Sequence, residues 1–177
     1  ETDAENAEFA LALRLPGWCG NPVIAVGGET LDLADTARGG YAVIRRTWRT
    51  GDVVECLFPM EVLRMSAHPL VRHAAGKTAL QRGPLVYCLE EADNGPNLHL
   101  ARLPGDGELR VVHEPDLLGG VRAIYAEGTR ADPASWSGGL YGRRAELKEE
   151  RVTLNFIPYY AWANRGEGEM RVWVNES

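Results

Sequence analysis

The sequence predicts an all-β protein, a sandwich or barrel of antiparallel strands. Two observations carry that prediction. Apolar residues alternate with a period of two along much of the chain, and Gly, Pro, Asn and Asp cut the alternating runs into strand-sized pieces. Phe9, Leu11, Leu13 and Leu15 alternate with Ala10, Ala12 and Arg14 until Pro16-Gly17 stops the run, which describes a strand with one buried face. Tyr41, Val43 and Arg45 alternate with Ala42, Ile44 and Arg46. In the next run Val54, Cys56 and Phe58 share the inner face, with Val53, Glu55 and Leu57 on the other. Thr50-Gly51-Asp52 between these runs reads as a hairpin turn. Arg82-Gly83-Pro84 turns the chain into Leu85, Tyr87 and Leu89, with Pro84 fixing its own φ and Gly83 free to take a positive one. Val121 to Tyr125 follow Gly119-Gly120. Val152, Leu154 and Phe156 alternate with Thr153, Asn155 and Ile157, and the last run is Met170 to Val174.

Between these runs, residues 94–97, 104–107 and 130–139 read as surface loops, and residues 60–73 show no clear period, as a crossing segment would. Residues 143–150 have helix-friendly composition but a single large apolar side chain, so a solvated loop or strand edge is the better description.

Composition narrows the function classes. The chain has 177 residues, 45% of them hydrophobic and 25% charged, which suits one large domain or two small ones. A net charge of −6 opposes a broad basic surface for nucleic acid or anionic lipid. No apolar run approaches the roughly 20 residues of a membrane helix, and no basic-then-apolar leader is present. The opening Glu-Thr-Asp, without Met, reads as a processed or cut piece. Three sparse cysteines oppose a disulfide framework and fit a reducing, cytoplasmic compartment. Cys19, Cys56 and Cys88 form no CxxC or adjacent pair, and His68, His73, His99 and His113 lack the i, i+4 spacing of a helical metal site. No metal ligand and no cofactor-binding residue is assigned.

Nor is any catalytic residue assigned. Glu90, Glu91 and Asp93 stand together, but strand neighbours point to opposite faces, whereas paired catalytic carboxyls must flank one bond; a solvated strand edge is expected. His113-Glu114-Pro115-Asp116 reads as a loop, and Ser66 beside His68 is not a triad. Trp18, Trp48, Trp162 and Trp173 lie in or beside alternating apolar runs, where core packing is the default. Trp136, flanked by small polar residues, is the ring expected to be exposed, either capping a sandwich end or offering a sugar platform. Arg14 and Arg46 interrupt apolar faces and should be paired or snorkel outward. Asn164-Arg165-Gly166 reads as a turn that could also lean on a neighbouring domain.

Taken in order, a set of motifs resembles one family. They are Leu13-Arg-Leu-Pro-Gly-Trp18, Gly40-Tyr41 with Ile44 and Arg46-Thr-Trp48, Gly51-Asp52, and Phe58-Pro-Met60. The set continues with Ala79-Leu-Gln-Arg-Gly-Pro-Leu-Val-Tyr-Cys-Leu-Glu90, Ile157-Pro-Tyr-Tyr-Ala-Trp-Ala-Asn-Arg165 and Met170-Arg-Val-Trp173. The chain is similar to the C-terminal β-sandwich region of glycoside hydrolase family 127, the β-L-arabinofuranosidase family. That resemblance implies an upstream (α/α)6 barrel holding the chemistry, with zinc bound by an adjacent Cys-Cys pair, another Cys and a Glu. Cys19, Cys56 and Cys88 match none of those positions, so no catalytic residue carries over. The resemblance implies one or two antiparallel, jelly-roll-like sandwiches, a first over residues 1–66, closed by the return of residues 168–177, with a second over 67–167 inserted into it. It implies two partners, the helical barrel and a second copy in a homodimer. The function expected is a non-catalytic accessory region that braces the barrel, the alternative being an autonomous carbohydrate-binding module.

Overall fold

The computed structural model describes residues 6–142 and 147–177 and divides the chain into two units, Glu1–Glu61 and Val62–Ser177. Residues 143–146 of the helix-friendly segment lie outside the described residues, while Glu149 and Glu150 open a strand.

The first unit runs β1 (Asn6–Arg14), β2 (Val23–Val26), β3 (Glu29–Thr30), α1 (Leu33–Thr36), β4 (Ala37–Arg38), β5 (Tyr41–Arg49) and β6 (Val54–Leu57). They form two antiparallel three-stranded sheets, β1-β5-β4 and β3-β2-β6. The core is built where the sheets face each other, Ile24 and Val26 of β2 against Ala42, Ile44 and Trp48 of β5, with Leu11, Leu13 and Val54 packed beside them. The alternation in β1 thus marks the correct face. Phe9 is the exception: it lies open at the rim, stacked on Trp48 with ring centroids 5.6 Å apart, while the Trp48 indole N–H donates to the Phe9 carbonyl at 3.1 Å.

The expected hairpin at Gly51-Asp52 is not one. A tight turn is present, with Gly51 at φ 94°, the Asp52 N–H bonded to the Arg49 carbonyl at 3.0 Å and the Arg49 N–H to Asp52 Oδ2 at 3.0 Å. It delivers β6 to β2, in the opposite sheet, rather than back to β5. Period-two patterning reports which face is buried, not which strand is the neighbour, and β2, with Ile24 and Val26 buried, needs a hydrogen-bonding partner on that side.

The second unit contains β7 (Val62–Met65), β8 (Lys77–Arg82), β9 (Leu85–Glu90), α2 (Glu91–Asn94), β10 (Ala101–Leu103), β11 (Leu109–Glu114), β12 (Val121–Ala131), β13 (Glu149–Pro158), β14 (Met170–Arg171) and β15 (Val174–Glu176), with single 3-10 turns at Arg72–Ala74, Leu98–Leu100, Pro133–Ser135 and Tyr159–Ala161. Strands pair in the order β14-β9-β13-β12-β10-β15-β8-β7, with β11 on β12. Because β8 also pairs with β9, six strands close into a ring around Leu80, Tyr87, Leu103, Ile124, Leu154 and Phe156. Gly83-Pro84 makes the tight β8–β9 hairpin as expected, with Gly83 at φ 57° and Arg82 opposite Leu85.

Two expectations need correction. Residues 60–73 are not a featureless crossing, since β7 pairs with β8 there, and the unit boundary falls after Glu61 rather than after residue 66. Met170 to Val174 is not one strand returning to residues 9–60. It bends at Val172-Trp173, so that β14 pairs with β9 while β15 lies antiparallel to β8 and parallel to β10. The reason is burial: Val174 belongs to the ring's interior, and β15 satisfies the backbone groups of β8 and β10 that would otherwise face no neighbour. Among the described residues no helix is long and apolar enough to cross a membrane.

Candidate functional site

The polar feature that organises the second unit begins at the end of β9. Tyr87 and Leu89 point into the ring, so Cys88 and Glu90 point the other way, beside a smaller apolar cluster of Cys88, Val121, Ile157 and Ala161. Glu90 is only 3% exposed and lies against Arg165, which arrives from the loop after β13. The Arg165 guanidinium donates to both oxygens of Asp93, Nη1 to Oδ1 at 2.6 Å and Nη2 to Oδ2 at 2.5 Å, and Nη2 also donates to Glu90 Oε2. The remaining Glu90 oxygen accepts the Ala163 N–H at 3.0 Å, which holds Ala163 in a left-handed conformation, φ 63°.

Neighbouring groups extend this clamp. The Asn94 side chain behaves as a short strand extension on β13, accepting the Asn155 N–H and donating to the Asn155 carbonyl, each at 2.9 Å. Glu91 accepts the Glu169 N–H at 2.8 Å, and the Glu169 carboxylate accepts the N–H groups of Asn97 and Leu98 at 3.2 and 2.8 Å. The hydrogen bond to Asp93 pushes Arg165 above the ordinary guanidinium range; burial opposes this and the bond to Glu90 reinforces it. Burial, aided by the charge on Glu90, pushes the Cys88 thiol up to about 12.

Chemically this is a fastening. A glycosidase pair needs two carboxyls on either side of a gap, one free to give or take a proton. Here both carboxyls converge on one guanidinium, and the second oxygen of Glu90 is bonded to backbone. The expectation of a solvated strand edge is corrected for Glu90: the strand turns its odd-numbered neighbours into the ring, leaving Glu90 on an inner face that Arg165 covers. The plain turn expected at residues 164–166 is likewise a turn whose arginine reaches inward.

The other candidates stay apart. His113 and Glu114 lie on β11 rather than in a loop, on opposite faces, with Glu114 accepting the Tyr125 hydroxyl at 2.9 Å. His68 Nδ1 accepts the Leu70 N–H at 3.2 Å in a local turn, and Ser66 is exposed. Arg46 is paired as expected, 3.7 Å from Asp52 and stacked over Trp48, while Arg14 is exposed. Cys56 is exposed, Cys19 and Cys88 are buried, and all three are free thiols. Cys88 sits among apolar side chains with its proton firmly held, a setting that does not fit zinc, and no group of three or more His, Cys, Asp or Glu among the described residues is placed to hold a metal.

The tryptophans sort differently from expectation. Trp48 is buried, but Trp18 and Trp173 are only half-buried, and Trp136 is half-buried with its indole N–H bonded to the Gly139 carbonyl at 2.7 Å. Open rings cluster instead at Tyr159, Tyr160 and Trp162, which are 45%, 65% and 38% exposed. Pro158 ends β13 and the chain enters a 3-10 turn, so the strand parity used to bury Trp162 no longer applies. Three aromatic rings directly after a strand-ending Pro were the available signal.

Comparison with known proteins identifies the family and agrees with the all-β fold. Residues 2–60 match the family described as Beta-L-arabinofuranosidase, GH127 middle domain, and residues 62–175 the Glycoside hydrolase family 127 C-terminal domain. A non-reducing end beta-L-arabinofuranosidase of Bifidobacterium longum subsp. longum is 35% identical over 96% of this chain, which covers 26% of that protein. The structure of a GH127 beta-L-arabinofuranosidase from Geobacillus stearothermophilus T6 superposes with a TM-score of 0.93 at 53% identity, over 98% of this chain and 27% of the other. A second solved GH127 beta-arabinofuranosidase gives 0.83 at 34% identity, over 97% of this chain and 28% of that one. The chain spans about a quarter of the length of these relatives. It belongs to glycoside hydrolase family 127, of which it carries the middle and C-terminal domains.

Proposed function

We propose that this chain is the non-catalytic accessory β-sandwich region of a β-L-arabinofuranosidase-like glycoside hydrolase, bracing an (α/α)6 catalytic barrel and contributing to a homodimer. The observation that supports it best is the fate of the carboxylates: Glu90 and Asp93, the pair most suggestive of sugar chemistry, are both spent on Arg165. The relatives' activity then resides in the three-quarters of their length outside the match. Zinc, implied by the family resemblance, belongs to that part too. Three free cysteines, two of them buried, support a cytoplasmic site of action.

Open sheet edges in the first unit, with Val53 and Leu57 exposed, support association with other protein surface. The direct test compares residues 1–177 with the full-length protein on an arabinofuranoside. The expected result is turnover by the full-length protein only, with removal of the region lowering the melting temperature of what remains. Turnover by residues 1–177 alone refutes the proposal.

A further inference from the structure

Tyr159, Tyr160 and Trp162 form an exposed aromatic ledge that is fastened from behind. Tyr159 and Trp162 are stacked, with centroids 6.0 Å apart and planes inclined by 25°. Between the outward rings Ala161 is buried against Cys88 and Ile157, which pins the turn to the unit. Behind it the Asn164 side chain donates to the carbonyls of Ala161 and Trp162 at 3.0 and 3.3 Å, Ala163 is held left-handed by Glu90, and Arg165 is locked by two carboxylates. Left-handed alanine and desolvated charge both cost stability. What they secure is the direction of rings that face away from the unit's own core, the kind of strain that clusters at binding surfaces.

We propose that this ledge is the docking surface for the domain that precedes the middle domain in family 127 chains. The inference rests on the accessory reading above. The occupant is argued from family organisation: this chain matches a middle and a C-terminal domain, and relatives aligned along nearly all of it are covered over only 26–28% of their length. The chemistry of the ledge fits a protein partner better than a sugar. A sugar platform needs a free ring face, whereas Tyr159 and Trp162 each spend a face on the other. Tyr and Trp used in this way are typical anchors at the dry centre of protein interfaces.

The test uses the full-length protein. Hydroxyl-radical footprinting should oxidise Tyr160 and Trp162 at least about tenfold more slowly in the native protein than after unfolding in urea, as expected at an interface centre. A Tyr160→Ala/Trp162→Ala variant should lower the melting temperature of the preceding domain while amide exchange in β12 and β13 is unchanged. Protection short of about tenfold, down to the roughly threefold that exposures of 65% and 38% already account for without any partner, overturns the proposal. So does protection that appears only on adding an arabino-oligosaccharide, which would make the ledge a glycan site. Deleting the whole 177-residue region separates the two readings. If the preceding domain then melts unchanged, the accessory reading fails; if it melts earlier but the ledge is reactive in the intact protein, only the docking proposal fails.

Discussion

Among the described residues of Glu1–Glu61 six strands are shared between two three-stranded sheets, and each sheet ends in edges; among those of Val62–Ser177 six of nine strands close on themselves. The consequence is visible in the cores. The open arrangement buries Ile24, Val26, Ala42, Ile44 and Trp48 but leaves Phe9, Tyr41, Val53 and Leu57 exposed. The closed arrangement buries large side chains such as Tyr87, Phe156 and Leu154 almost completely and adds a second cluster around Cys88. A unit of this small size sits near the lower limit at which one core sustains a fold, so its stability is the more fragile of the two. Closure also gives the second unit a rigid wall on which a buried ion cluster can be mounted, and the first unit has no equivalent among its described residues.

That contrast can be broken at several points. Arg165→Ala should have the largest effect, about 3–5 kcal/mol off the stability of Val62–Ser177, because the buried Glu90 and the half-buried Asp93 are left beside each other without their cation. Urea denaturation read by tryptophan fluorescence measures it, and a loss below about 1 kcal/mol would reduce the clamp to a solvated surface pair. Ile24→Ala should cost about 2–5 kcal/mol, enough to open the first unit, so amide exchange should accelerate over residues 6–61 while β12 and β13 keep their protection. Equal acceleration throughout would show that the difference in cores does not govern stability.

The third test uses pH. In the unfolded chain Cys88 titrates near its ordinary value of 9.0, and in the folded protein at about 12. Between those values the unfolded state has released a proton that the folded state retains. Stability should therefore fall with rising pH by about 1.4 kcal/mol per unit across that window, with no contribution below it. Cys88→Ala should flatten the slope, and Cys56, exposed in the first unit, should react with a thiol reagent in the native state while Cys88 does not. The smallest effect has the opposite sign. Ala163→Gly removes the left-handed penalty and should stabilise the second unit by about 0.5–1 kcal/mol in the same urea titration.

Strand positions were legible where alternation was long, as at Phe9 to Leu15 and Val152 to Phe156, and the Gly83-Pro84 hairpin was legible from its turn chemistry. Short strands with little contrast, β7 and β10, were not, because three or four residues barely register a period. The clamp was half legible. Glu90, Asp93 and Arg165 each stood out as charged residues at strand ends or turns, but over seventy positions separate Arg165 from its carboxylates, and no local pattern reports such a meeting.

By itself, then, the sequence determined the all-β class, the inward faces of the long strands and the family, because side-chain period and motif order are properties of the chain read locally. Tertiary structure alone decided that β6 joins β2, that β15 enters the second unit beside β8 and β10, and that Glu90 is an interior ion rather than a wet edge. Each of those outcomes turns on which backbone groups and charges are left without water once distant segments meet. That is settled by burial in three dimensions and not by neighbours along the chain.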